Sequence, residues 1–197
     1  VTAQNSDHVG ILSGSNNGTI RDSYSTGSVN GDADVGGLAG YNWGSIDNSY
    51  SIGTVSGSGT STGGLVGGNW GSIENSYSTG TVSGGEDNTG GLVGINTGGL
   101  IQFSFSLSDV NGFYNVGGLV GTNFGSVNNS YSQGSVSGTT FVGGLIGDIT
   151  TSGSVVNTYS TGHVSGSSAV GGLVGASDGF VADSFYDTET SGLNISD

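Results

Sequence analysis

The sequence predicts an all-β chain wound as a single right-handed parallel β-solenoid of about seven rungs, with three short strands in each. Three observations predict it. A Gly-Gly-Leu opening recurs at Gly36, Gly63, Gly90, Gly117, Gly143 and Gly171, at intervals of 26 to 28 residues, behind a degenerate Val9-Gly10-Ile11-Leu12. A fixed period of this size marks stacked repeats, whereas a propeller blade needs about forty residues. No window carries a helical hydrophobic period, and glycine recurs too often for a helix, where each costs about 1 kcal/mol relative to Ala. Like residues also occupy like places in each repeat, so rungs about 4.8 Å apart would bring them into contact.

Residues 1–8 read as an N-terminal arm or a partial preceding rung, 9–186 as the seven-repeat solenoid, and 187–197 as a C-terminal tail, cap or inter-subunit segment. In the cleanest repeat the first strand is the Gly-Leu-Val around Leu65, the second Ile73 to Ser78, and the third Thr81-Val82-Ser83. Alternation sets Ile73, Asn75 and Tyr77 on one face and Glu74, Ser76 and Ser78 on the other. Glycines at Gly67, Gly71, Gly80 and Gly84 mark the bends. Stacking predicts inner columns through Leu12, Leu38 and Leu65, through Ile20, Ile46 and Ile73, and through Val29, Val55 and Val82. It also predicts an inward aromatic column from Tyr24 to Phe185 and an amide ladder Asn16, Asn42, Asn69, Asn96, Asn123. Repeat four carries one extra residue before its aromatic, predicting a bulge. Repeat six loses the ladder Asn, and the variable joints between repeats read as exposed corners.

Composition narrows the function. Among 197 residues there are 43 glycines and no proline, cysteine or methionine. Arg21 stands alone against 15 acids, a formal charge of −14. Nucleic acids and anionic lipids are held through Lys and Arg, so neither is an expected partner. Without cysteine there is no disulfide or thiol chemistry. No run is apolar enough to insert into a membrane, and no signal peptide is present. A mature exported segment has this character, as does a piece of a longer chain.

The cores Gly64-Leu65-Val66-Gly67, Gly91-Leu92-Val93-Gly94, Gly118-Leu119-Val120-Gly121 and Gly172-Leu173-Val174-Gly175, followed by Asn-x-Gly-x-Ile-x-Asn-Ser-Tyr-Ser-Thr-Gly-x-Val, resemble the GLUG-motif repeat family. Gly37-Leu38-Ala39-Gly40 and Gly144-Leu145-Ile146-Gly147 match with small apolar changes. The resemblance implies an extracellular or cell-surface protein of bacteria or archaea, often a multidomain adhesin. Some relatives carry a separate metallopeptidase domain, but no His-Glu-x-x-His occurs here. The motif is structural, so no active site comes with it.

Candidate sites are sparse. Trp43, Trp70 and Phe124 share one repeat position and form a candidate ligand-binding face, suited to stacking on a sugar of a cell-surface glycan. Asp32, Asp34, Glu86 and Asp87 occupy corners where carboxylates could hold Ca²⁺, the one cofactor the sequence suggests. Asp22, Asp47 and Glu74 are placed near equivalent points of neighbouring rungs, as a solvated face or a stacked carboxylate set. His8 and His163 have no nearby ligand partner in sequence. Asn17, Asn128 and Asn194 head Asn-x-Ser/Thr acceptors for glycosylation. Interrupted Ser and Thr columns suggest ice binding as a further alternative. The leading expectation is a non-enzymatic rod, stalk or filament segment that self-associates end to end.

Overall fold

The computed structural model describes residues 1–3 and 6–193, and in them the chain winds through seven stacked coils without a helix. In the third coil the strands are Thr62–Gly63, Val66–Asn69, Ser72–Glu74 and Tyr77–Gly84. Each pairs in parallel with its counterparts above and below, giving three seven-stranded sheets and one ten-stranded sheet. The register is that of like on like: Val66 lies between Ala39 and Val93, Ile73 between Ile46 and Ile101, and Val82 between Val55 and Val110. Leu38 donates its N–H to the Leu65 carbonyl and Leu65 to that of Leu92, both at 2.9 Å. The leucines are thus successive neighbours at the bend between the first two sheets.

The expected strands are present, and the joints contribute the first sheet besides. Val9, Val35, Thr62, Thr89, Val116 and Val142 are buried in it, so the exposed corner of each joint, such as Ser58 and Thr60 or Gly85 to Asp87, leads straight into a buried strand. Variable lengths between Val55 and Leu65 hide this column in the sequence; the structure absorbs the extra residues outside it. Two apolar clusters fill the interior. One joins the Leu, Ile and Val66-type columns of the second and third sheets, the other the valines of the first and fourth.

Local conformation sets which side chains turn inward. The corner before the fourth sheet holds Asp22, Asn48, Asn75, Phe103, Asn129, Asn157 and Asp183 at φ of 49 to 54°. Asn and Asp tolerate this left-handed region better than other L-residues. The turn resets the alternation, so Ser76 and Ser78 point inward and Tyr77 outward. The aromatic column therefore lies outside, a correction to the inward placement. Its rings still stack, with centroids 4.8 to 5.2 Å apart from Tyr24 through Tyr159.

The two serines around each tyrosine secure the corner. The Ser76 hydroxyl donates to the Glu74 carbonyl and accepts the Ser49 N–H, a pattern repeated at Ser49, Ser104 and Ser130. Ser25, Ser78, Ser132 and Ser160 donate across the interior to the carbonyls of Gly37, Gly91, Gly144 and Gly172. The amide ladder also forms: Asn16, Asn42, Asn69 and Asn96 each donate Nδ2 to the Oδ1 of the next coil's Asn at 2.8 to 2.9 Å. It ends at Asn123, because Ile149 takes the next place.

Irregular coils follow their sequence. In the fourth, the extra residue is absorbed at Gly98, whose φ is 103° and beside which a Cβ would meet nothing. Leu100–Gln102 then falls back into register with Ser72–Glu74. Ser108 replaces Gly80, which has φ 128°, and from that coil onward the long fourth-sheet strand divides in two. An L-residue avoids that conformation, and later coils follow Ser108 even though Gly134 and Gly162 stand in its column.

Candidate functional site

The outer corner between the second and third sheets carries one residue per coil: Asn17, Trp43, Trp70, Thr97, Phe124, Thr150 and Asp178. Each from Trp43 onward donates its N–H to the carbonyl of the ladder position one coil earlier, as Trp43 does to Asn16 and Trp70 to Asn42 at 2.8 Å. The structure brings Trp43 and Trp70 together, their rings stacked 5.2 Å apart at 18°. Phe124 is not brought to them, since Thr97 stands between.

Two residues that the sequence does not single out as binding groups complete the cluster. Tyr41 lies 5.3 Å from Trp43, and His8 meets Tyr41 edge-on at 5.0 Å. Tyr41 projects from the second sheet and leans over Gly68, where an added Cβ would sit 2.4 Å from its ring. Only a glycine in the third coil leaves that room. Burial raises the Tyr41 phenol above its ordinary pKa; the Trp70 side chain opposes the shift and the Asp34 charge adds to it. His8 Nδ1 is 3.0 Å from Asp34 Oδ2. Burial also raises the Asp34 carboxyl, against the pull of His8 and the Ser61 hydroxyl, with Asp7 adding to the rise. The signal for Tyr41 and His8 is their departure from the repeat: among the described residues no other coil has an aromatic in the Tyr41 place, and the His8 place is otherwise aromatic at Phe141 alone, five coils on.

The remaining candidates are dispersed. Asp32 accepts a hydrogen bond from the Ser58 hydroxyl at 2.9 Å, while Asp34 faces His8. Glu86 and Asp87 are exposed two coils further on. Among the described residues no three His, Cys, Asp or Glu gather as a metal set. Asp22 and Asp47 do not occupy equivalent points: Arg21 pairs with Asp47 in the ladder, and Asp22 shares the left-handed corner column with Asn48. Arg21 Nε approaches Asp47 Oδ2 at 3.3 Å, and Asn75 donates to Asp47 Oδ1 at 3.2 Å. The column runs Arg21, Asp47, Glu74, so Asp47 and Glu74 are stacked carboxylates as expected and Arg21, not Asp22, stands in the coil before them. Asn17 is exposed, whereas Asn128 is half-buried and its acceptor partner Ser130 is buried in the serine ladder. Asn194 lies outside the described residues. The Thr26 row on the outer fourth sheet is broken by Ile52 and Leu107.

No curated protein and no solved structure gives a significant match. The family described as the GLUG motif matches residues 31–56, 58–83 and 114–137. Each match begins in or near the first sheet and ends in or just past the fourth, so the family unit corresponds to one coil. Repeats of this family on a β-solenoid support a repeat structural protein. Three matched coils, in register with others built on the same columns, place the chain in the GLUG-motif repeat family.

Proposed function

We propose that the chain is a non-enzymatic rod segment of an extracellular or cell-surface protein, whose terminal coils stack on those of a second copy. The observation that carries this is the match between the two ends. In the first coil Leu12 is 51% exposed and Tyr24 62%; in the last, Phe180 is 61% and Phe185 70%. Leu12 was expected inside its column; no described coil lies beyond it. The far half of the fourth sheet is covered at both ends. Asn30 donates to the Val1 carbonyl and Ala3 to that of Asn30, while at the other end Val164 donates to the Ser191 carbonyl, at 2.9 to 3.0 Å. Among the described residues, what stays open at each end is the same set: the first, second and third sheets and the aromatic column. A copy laid on either end would continue the leucine, isoleucine and aromatic ladders and pair the edge backbone groups.

Seven coils make a rod about 30 Å long. The net charge of −14 would keep rods apart sideways without opposing apolar contact at their ends. The resemblance to surface repeat proteins supports the extracellular setting. Sedimentation velocity and electron microscopy across a concentration series test the assembly. Rods lengthening along one axis are expected; short particles of one size at every concentration and salt refute it.

A further inference from the structure

We infer that the outer face of the first three coils binds a neutral pyranose glycan, with Trp43 as the stacking platform. The stacking column shows why Trp43 is the exposed ring. Trp70 covers one face of Trp43, and the next residue in the opposite direction is Asn17, too small to cover the other. Trp43 is 54% exposed despite its neighbours. By contrast the Tyr50 and Tyr77 rings lie nearly parallel between neighbours at 4.8 to 5.2 Å, so the interior rings of the long aromatic ladder present edges, which stack poorly on a sugar.

Around the platform the residues suit a polyol. Tyr41 and Trp70 fix Trp43 from the side, so little side-chain freedom remains to be lost on binding. Ser15 and Asn17, both exposed in the coil before, stand where Tyr41 and Trp43 stand in the second coil. Their polar groups border the open indole face. Asp34 holds His8 through Nδ1, leaving Nε2 as the ring nitrogen for a sugar hydroxyl. A pyranose meets these needs: its C–H face packs on the ring quadrupole while its hydroxyls meet the rim. Charge selects among sugars. Asp7 and Asp34 flank the patch, and the single Arg21 is engaged with Asp47, so an anionic glycan would meet repulsion without a cation to offset it.

The test titrates the protein with cellotetraose, chitotetraose and sialyllactose, followed by tryptophan fluorescence and calorimetry. Saturable binding of a neutral tetrasaccharide is expected, with sialyllactose weaker by about tenfold or more. Trp43→Ala should weaken binding about tenfold, the scale of one aromatic contact. Phe124→Ala, at an exposed aromatic of the same corner two coils past Trp70, should leave it unchanged. Circular dichroism melts establish that both variants fold. Absence of saturable binding to both neutral sugars, preference for sialyllactose, or equal effects of the two substitutions overturns the assignment. Assembly plays no part in the titration, so its outcome is separable from that of the rod.

Discussion

Asn42 donates its side-chain amide to the carboxamide oxygen of Asn69 across 2.8 Å, and both residues are fully buried. Each interior Asn of the ladder is at once donor to the next coil and acceptor from the previous one. The ladder locks coil register, because sliding by one residue would strand every amide in an apolar interior.

Replacing an interior member should therefore cost more than replacing the first. Asn69→Leu leaves Asn42 without its amide acceptor and Asn96 without its donor, a loss of about 2–5 kcal/mol. Asn16→Leu strands the Asn42 oxygen alone within the ladder and should cost about 1–3 kcal/mol. Urea unfolding of the two variants checks the order; equal losses would mean the amides act independently.

Two buried hydroxyls offer the opposite change. Thr62 and Thr89 stack on each other within the valine column of the first sheet, and neither Oγ1 has a hydrogen-bond partner. Val35 and Val116 flank them in the same ladder. Thr62→Val and Thr89→Val keep the shape and remove the orphaned polar group, so each should stabilise by about 1 kcal/mol. A lower denaturation midpoint in both would show that the hydroxyls have partners.

Much of this was legible in the sequence because repetition converts position into contact. The Leu65 and Val82 columns and the Asn69 ladder follow from spacing alone. Alternation carried straight through Asn75 puts the Tyr77 column inside, whereas the left-handed turn at Asn75 changes the face. Its signal was the Asn or Asp held at that place in all coils but the fourth, which has Phe103. The Tyr41–His8 cluster was hidden for the opposite reason. It is built from residues unlike their repeat counterparts, and column arithmetic discards such differences.

Stability should also respond to pH through Asp148. Burial, and then the charge of Asp178, raises its carboxyl above the ordinary value of 3.8. A raised value means the folded chain binds this proton more tightly than the unfolded chain does. The contribution is complete below the unfolded value and is lost as pH rises through the folded one. Asp148→Asn should melt higher than the parent at neutral pH, with the difference shrinking as pH falls toward about 4. A difference that grows on acidification reverses the sign and rules this out.

The glycine at the third-sheet corner separates folding from assembly. An added Cβ at Gly44 would sit 1.9 Å from the Gly18 carbonyl oxygen, and one at Gly71 would sit 1.8 Å from that of Gly44. Backbone meets backbone there, so Gly44→Ala should cost about 3 kcal/mol or more, since no side chain can yield. Gly18 holds the same position in the first coil, and a Cβ there meets nothing within 4 Å. Gly18→Ala should leave the monomer as stable as the parent or more so, by up to about 1 kcal/mol. In an end-to-end rod, however, that methyl group would occupy the place of the neighbouring copy's carbonyl. The variant should keep its melting temperature and lose concentration-dependent elongation in sedimentation velocity. Elongation matching the parent would mean that copies do not stack on the first coil in the register of the coils within the chain.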